Sequence, residues 1–296
     1  MNILDLIGNT PLVEISHLNS HKKVKIYCKL EGQNPGGSVK DRAAFNMINE
    51  ALIRGDIKAG DKLVEATSGN TGIALAMIAQ LKGLEMHLIM PDNSTKERII
   101  SMEAYGANVI LTPAAKSIEY SRVVADEMVA TGEYIMLNQF GNEDNYKAHY
   151  KTTGPEIWKD TKGEITHFVS AMGTTGTIMG VSQYLKEQNN KVQIVGTQPT
   201  DGSRIPGIRR WSPEFVPTIF DSSRVDKVID VSQEEATETT RAMAKQEGIL
   251  AGMSSGGALT AALKLASELS DKNQEGVIVT IVCDRGDRYL SSDLFG

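Results

Sequence analysis

The chain has only two cysteines, Cys28 and Cys283, which excludes a disulfide framework. Reduced thiols of a cytoplasmic protein are the expectation. Its five histidines are scattered and show no metal-ligand spacing, so a metal centre is not expected. There is no excess of positive charge: the formal net charge is −6, which argues against a nucleic-acid surface. No run of about 18 apolar residues suggests a membrane span. The start, Met1-Asn2-Ile3-Leu4-Asp5, lacks the basic and apolar regions of a signal peptide. Low-complexity segments and short-period repeats are absent. Neither a Walker loop nor a Gly-x-Gly-x-x-Gly fingerprint occurs, which disfavours a nucleotide-binding protein.

What is present is a chain of 296 residues with 41% hydrophobic content, enough for two domains or one large α/β domain. Strand-like segments lie at Val24–Leu30, Lys62–Ala66, Met86–Met90, Asn108–Leu111, Ile165–Ser170, Gln193–Thr197, Val225–Val231 and Gly276–Cys283. Helical stretches separate most of them, which predicts βαβ units and parallel sheets covered on both faces. Ser94-Thr95-Lys96-Glu97 matches a capping box opening a helix toward Tyr105. The segment Pro199 to Phe220 is irregular and rich in proline and glycine, as functional loops are. Gly154-Pro155 interrupts a helical stretch, and a domain change is expected near 142–155.

Three loops carry chemistry. Asn34-Pro35-Gly36-Gly37 is a turn sequence, followed by Ser38 as the expected N-cap and Asp41 as its capping-box partner. Apolar residues at Ala43, Ala44, Met47, Ile48, Ala51 and Leu52 have helical spacing, and Gly55 ends the helix. Lys40 then lies in the opening turn, where the positive end of the helix dipole disfavours an ammonium ion and favours a nucleophilic amine. Taken alone, this segment also reads as an ordinary helix start with a solvated lysine. The second loop, Thr67-Ser68-Gly69-Asn70-Thr71-Gly72, joins a short strand to a nearly all-apolar helix from Ile73 to Leu81. Its backbone N–H groups and small polar side chains suit a carboxylate or phosphate, and N-capping by Ser68 or Thr71 is compatible with that. The third, Gly173-Thr174-Thr175-Gly176-Thr177, follows a strand and opens a helix at Ile178, again an anion-binding arrangement. An activated lysine beside two anion loops suggests pyridoxal phosphate (PLP) chemistry on an amino acid.

In this combination and order, with Ile7-Gly8-Asn9-Thr10-Pro11-Leu12 before them and Ser254-Ser255-Gly256-Gly257 after, the motifs resemble the cysteine synthase/cystathionine β-synthase family of fold-type II PLP enzymes. Ile205-Pro206-Gly207-Ile208-Arg209-Arg210-Trp211 and Cys283-Asp284-Arg285-Gly286-Asp287-Arg288-Tyr289-Leu290-Ser291 are similar to the B branch of its O-acetylserine sulfhydrylases; the A branch differs at both places. The resemblance implies a tryptophan synthase β-like α/β fold of two domains, each with a twisted, mostly parallel sheet flanked by helices. Residues 1–12 and 35–145 would form the smaller mobile domain, and residues 13–34 and 146–296 the larger, phosphate-binding one.

It also implies roles. Lys40 is the Schiff-base lysine. Asn70 hydrogen-bonds the PLP ring hydroxyl, Gly173, Thr174, Thr175, Gly176 and Thr177 bind the phosphate, and Ser254 lies against the pyridine nitrogen. Thr67, Ser68, Asn70 and Thr71 surround the substrate carboxylate, with Gln139 nearby. The implied reaction converts O-acetyl-L-serine and sulfide to L-cysteine and acetate, with thiosulfate as an alternative donor giving S-sulfocysteine. Arg209 and Arg210 are candidates for attracting that anion, or for surface salt bridges. A homodimer is implied, and a complex with serine acetyltransferase is not expected. Cys283, at a strand end, reads as a small buried hydrophobe. O-phosphoserine sulfhydrylase, cystathionine β-synthase, serine or threonine dehydratase and a non-catalytic binding module are the competing readings.

Overall fold

Every strand expected from the sequence forms, with boundaries shifted by at most two residues. The computed structural model describes residues 1–67 and 69–296. In chain order the elements are β1 (Leu12–Ile15), β2 (Val24–Leu30), α1 (Lys40–Arg54), β3 (Lys62–Ala66), α2 (Asn70–Leu81), β4 (Glu85–Pro91) and α3 (Lys96–Ala104). Next come β5 (Asn108–Thr112), α4 (Ser117–Ala130), β6 (Tyr134–Ile135), α5 (Glu143–Lys151), α6 (Thr153–Asp160), β7 (His167–Ala171) and α7 (Gly176–Gln188). The chain ends with β8 (Gln193–Pro199), β9 (Lys227–Val231), α8 (Gln233–Glu247), α9 (Met253–Asp271), β10 (Gly276–Val282) and a 3-10 turn at Gly286–Tyr289. Strands β1 and β6 escape the sequence reading. The first is short and half exposed, and the second has two residues, too few for a period to show.

Two sheets result. The larger runs β1-β2-β10-β7-β8-β9, all parallel except the β1–β2 pair, and β10 is its centre, with Ile278 opposite both Ile26 and His167. The smaller runs β5-β4-β3-β6 and is wholly parallel. Parallel strands buried on both faces need near-continuous apolar runs, which Gly276–Val282 and Met86–Met90 supply. Separate apolar clusters lie on the two sheets: α1 and α2 pack Met47, Ile48, Ile73 and Ile78 against the smaller, while α9 packs Leu259, Ala262 and Leu265 against the larger. Leu4 and Ile7 join the former cluster, whereas Leu12 and Val13 join the larger sheet.

The chain order places the site. In the larger sheet the chain leaves β7 toward β8 and β9, then returns to the other side of β7 as β10. In the smaller sheet it leaves β3 toward β4 and β5, then returns beside β3 as β6. Each reversal opens a crevice beyond the carboxyl ends of the strands, where open α/β sheets bind ligands. The loops after β7, β10 and β3 carry Gly173, Cys283 and Thr67, and all three residues line one cavity.

Three local expectations are corrected. Ser38 is not the N-cap of α1: the cap position is Val39, in helical conformation, and the Ser38 hydroxyl merely accepts the Lys40 N–H at 3.2 Å. Asp41 turns back to accept Gly36 N–H at 2.5 Å, because the tight Asn34–Gly37 turn presents that donor to it. The Ser94–Glu97 box is also unmade; Thr95 is the N-cap without a side-chain bond, and Glu97 accepts a hydrogen bond from Ser291. Gly154-Pro155 does not itself interrupt the helical stretch. The break falls at Thr152, and Pro155 sits in the first turn of α6, where its missing N–H costs nothing. Both α5 and α6 pack on α7.

Candidate active site

The phosphate-type loop is built by α7. Its first N–H groups have no intrahelical acceptors, and the helix dipole adds positive potential there. Thr175, the N-cap residue, has φ +69, a left-handed conformation rarely adopted by a β-branched residue. Its Oγ1 is buried and has no hydrogen-bond partner. A Cβ on Gly176 would run into the Asn145 side chain. Asn145 in turn donates to the Gln139 carbonyl at 2.7 Å and to Thr174 Oγ1 at 3.2 Å, joining this loop to the segment that follows β6. His149 lies beneath: Nδ1 is 2.9 Å from Thr153 Oγ1 and Nε2 is 3.4 Å from Thr177 Oγ1. Burial, with help from Arg42 and Lys40, pushes the imidazole down to about 3, so it is neutral.

Lys40 is the first residue of α1 and lines the same cavity, whose volume is about 250 Å³. Its position is stitched to β10: Val39 N–H donates to Cys283 O at 2.8 Å, and Ser38 pairs with Asp284 as an isolated bridge. A buried ion network holds the helix from below. Arg42 bonds both oxygens of Glu31 at 2.7 Å and both of Glu156 at 2.7 and 2.8 Å. Lys29, fully buried, adds Glu156 and Asp160, both at 3.0 Å. Burial alone raises the Glu31 carboxyl, but Arg42, Thr10 and Asn34 bring it below the usual carboxylate range.

The second loop opens α2, with Gly69 at its N-cap and no side-chain cap. Thr71 does not cap the helix; its hydroxyl donates to Gln139 Oε1 at 2.9 Å. Thr67, Asn70, Thr71 and Gln139 all line the cavity. Ser68, expected with them, lies outside the described residues. Ser254, in the first turn of α9, also lines the cavity and is 5% exposed. Cys283 lines it as well, and burial pushes its thiol up to about 11, so it is no thiolate nucleophile.

The two candidate arginines part. Arg209 lines the cavity and makes no ion pair among the described residues. Arg210 does not reach it: its guanidinium pairs with Asp230 at 2.7 Å and Asp201 at 3.3 Å, and bonds Pro199 O at 2.9 Å. With Arg210 neutralised away from the cavity, the two do not act together. Sequence reasoning missed two other cations. Arg98 stacks on Tyr289 and Arg122 on Phe140, with guanidinium carbons 5.2 and 4.7 Å from the ring centroids, and both line the cavity. Helical periodicity marks neither as inward-facing. Trp211, quoted only as part of a motif, donates Nε1–H to Gly173 O at 2.9 Å and meets Phe140 edge-on. No carboxylate lines this cavity among the described residues.

An anion cradle, a lysine and a row of small polar groups thus share one cation-lined cavity. Over residues 3–284 the chain matches the family of pyridoxal-phosphate dependent enzymes. The chain belongs to that family. It is 58% identical over 293 residues to cysteine synthase B of Pseudomonas aeruginosa, covering 99% of this chain and 97% of the relative. Cysteine synthase B of Escherichia coli is 57% identical over 98% of this chain and 94% of its own length. Among solved structures, a cysteine synthase from Entamoeba histolytica superposes with a TM-score of 0.93 at 40% identity, covering 99% of this chain and 90% of that one. O-ureido-L-serine synthase superposes with a TM-score of 0.92 at 36% identity, over 99% and 94%.

The cofactor of this PLP-family chain is pyridoxal phosphate, and the residues present fit it. The partnerless Thr175 hydroxyl and the free N–H groups at the start of α7 form a cradle for a phosphate dianion. Lys40, Asn70 and Ser254 stand around the rest of the cavity.

Proposed function

We propose that the chain is a cysteine synthase, converting O-acetyl-L-serine and sulfide to L-cysteine and acetate. The observation that carries this reading is the single cavity in which Lys40, the Thr67–Gln139 wall and the α7 cradle meet. Thr67, Asn70, Thr71 and Gln139 hold the amino-acid carboxylate, with the Thr71–Gln139 bond keeping both side chains turned to one wall. Gly173, Thr174, Thr175, Gly176 and Thr177 hold the cofactor phosphate, Asn70 its ring hydroxyl and Ser254 its ring nitrogen. When bound, PLP delocalises the negative charge that develops at the substrate α-carbon. Lys40 Nζ takes the α-proton as the β-acetate leaves, and returns a proton to the α-carbon after the sulfur nucleophile has added at the β-carbon. Ser254 is uncharged and holds no proton on the ring nitrogen, which favours prompt loss of the β-substituent.

Thiosulfate is a second sulfur donor in this reading, giving S-sulfocysteine. Its support is the cavity charge: Lys40, Arg98, Arg122 and Arg209 line it and no described carboxylate does. The same cations favour one further reading, O-phospho-L-serine as the amino-acid substrate, because its leaving group is a phosphate anion. The test is an assay of purified holoenzyme for acetate and cysteine from O-acetyl-L-serine and sulfide, with O-phospho-L-serine in a parallel reaction. Lys40→Ala is expected to lower turnover by at least about 10³-fold. Phosphate release outpacing acetate release would replace the first reading with the second.

In the same proposal residues 1–12 and 35–145 form the smaller, mobile domain, and residues 13–34 and 146–296 the larger. The separate apolar clusters of the two sheets support this division. The working form is a homodimer that makes no complex with serine acetyltransferase. A cytoplasmic setting suits its two unbridged cysteines. No helix among the described residues is long and apolar enough to cross a membrane.

A further inference from the structure

The segment from Cys283 to Ser291 contacts the lysine loop and the Asn70 loop, yet the reaction above uses neither Asp284 nor Arg288. Both are buried, at 1% and 8% exposure. Asp284 Oδ1 accepts Gly252 N–H at 3.1 Å. Its Oδ2 accepts the Tyr289 hydroxyl at 2.5 Å and Asn70 Nδ2 at 2.7 Å. Arg288 Nη1 donates to Asn70 Oδ1 at 2.5 Å, while Nη2 donates to Gly36 O. Gly37, at φ +80, leaves room for that guanidinium; a Cβ there would collide with Nη2.

The Asn70 amide is therefore gripped at its two ends by charges of opposite sign. Flipping it would set the amide oxygen against the carboxylate and the amide hydrogens against the guanidinium, losing two charge-assisted bonds at once. Nδ2 has a second N–H, which no described residue accepts, and Asn70 lines the cavity. We infer that Asp284 and Arg288 are positioning residues that clamp Asn70 with an N–H group, never its oxygen, presented to the cofactor. The inference rests on the proposed contact between Asn70 and the PLP ring hydroxyl. A donor at that oxygen stabilises its ionised form, and the visible absorption of the bound ring reports that ionisation.

The test reconstitutes the protein with PLP and records cofactor affinity and the visible spectrum across pH. Asp284→Asn keeps the side-chain shape but cannot accept at both oxygens. It is expected to weaken PLP affinity about tenfold and to move absorption toward the un-ionised band. Arg288→Met should behave alike, and Arg288→Lys, which keeps a cation beside Oδ1, should recover most of the spectrum. In an Asn70→Ala background Asp284→Asn should add less than about twofold, because the clamp then has nothing to hold. An equal tenfold loss in that background would mean a merely structural role and overturn the inference. An unaltered Asn70→Ala spectrum would overturn the Asn70 contact and the clamp together. An altered Asn70→Ala spectrum beside an unaltered Asp284→Asn spectrum would overturn the clamp alone.

Discussion

Arg209 and Arg210 differ only in direction, and that decides their chemistry. Arg209 faces the cavity unpaired, while Arg210 is neutralised by Asp201 and Asp230. Attraction of an anion by one guanidinium amounts to at most about 1 kcal/mol at an exposed site such as Arg209. Arg209→Ala is accordingly expected to lower kcat/KM for thiosulfate by up to about fivefold with little effect on the smaller sulfide nucleophile, while Arg210→Ala changes neither. Initial rates with the two donors check this; equal losses for both donors in Arg209→Ala would remove the anion-steering role. The motif made the pair visible, but no period runs through Pro199–Phe220, so the facing residue was not legible in it.

At the scale of one element, α7 shows how a helix start becomes a cofactor cradle. The partnerless Thr175 hydroxyl costs stability while it waits for a ligand. Thr175→Ala removes an unsatisfied buried group, so the melting temperature without PLP should hold or rise slightly, while PLP affinity falls about tenfold. A simultaneous loss of both would mark Thr175 as structural. His149 supports the loop through Thr177. Its pKa is depressed to about 3, below the ordinary 6.5, so the unfolded chain takes up a proton there that the folded chain refuses. His149 therefore costs stability increasingly as pH falls from about 6.5 toward about 3. Asp41 and Glu65, raised by burial to about 7, pull the other way: they cost stability as pH rises from about 4 to about 7. The net curve is thus a balance, and the histidine is read by difference. The stability of the wild type relative to His149→Gln is expected to rise between pH 4 and pH 6.5, measured by urea unfolding; a flat difference would refute it. The glycine- and threonine-rich motif announced the cradle, whereas His149 and Asn145 carried no local signal because they arrive from α5.

For the whole molecule, the ion network of Glu31, Arg42, Glu156 and Lys29 ties the chain ahead of the site to α1 and α6. Buried charges are held only while partners remain, so removing Arg42 strands Glu31. Arg42→Ala is expected to destabilise the fold by about 3–5 kcal/mol, and Arg42→Met combined with Glu31→Leu should recover much of that loss. Chemical denaturation of the three proteins checks it; additive losses would show that the pair is not coupled.

The sequence by itself determined the alternation of strands and helices, the buried helix after Gly69 and the three loops that carry the chemistry. Each of these depends on local spacing and local backbone geometry. Only the tertiary structure decided that the loops share one cavity, because that follows from where each sheet reverses its strand order. It also decided that Ser38 and Ser94 leave their helices uncapped, since Asp41 and Glu97 found other partners in Gly36 and Ser291. The grip of Asp284 and Arg288 on Asn70 belongs there too. Those residues lie more than two hundred positions from Asn70 in the chain, and only the packing of the segment after β10 against the start of α2 brings them together.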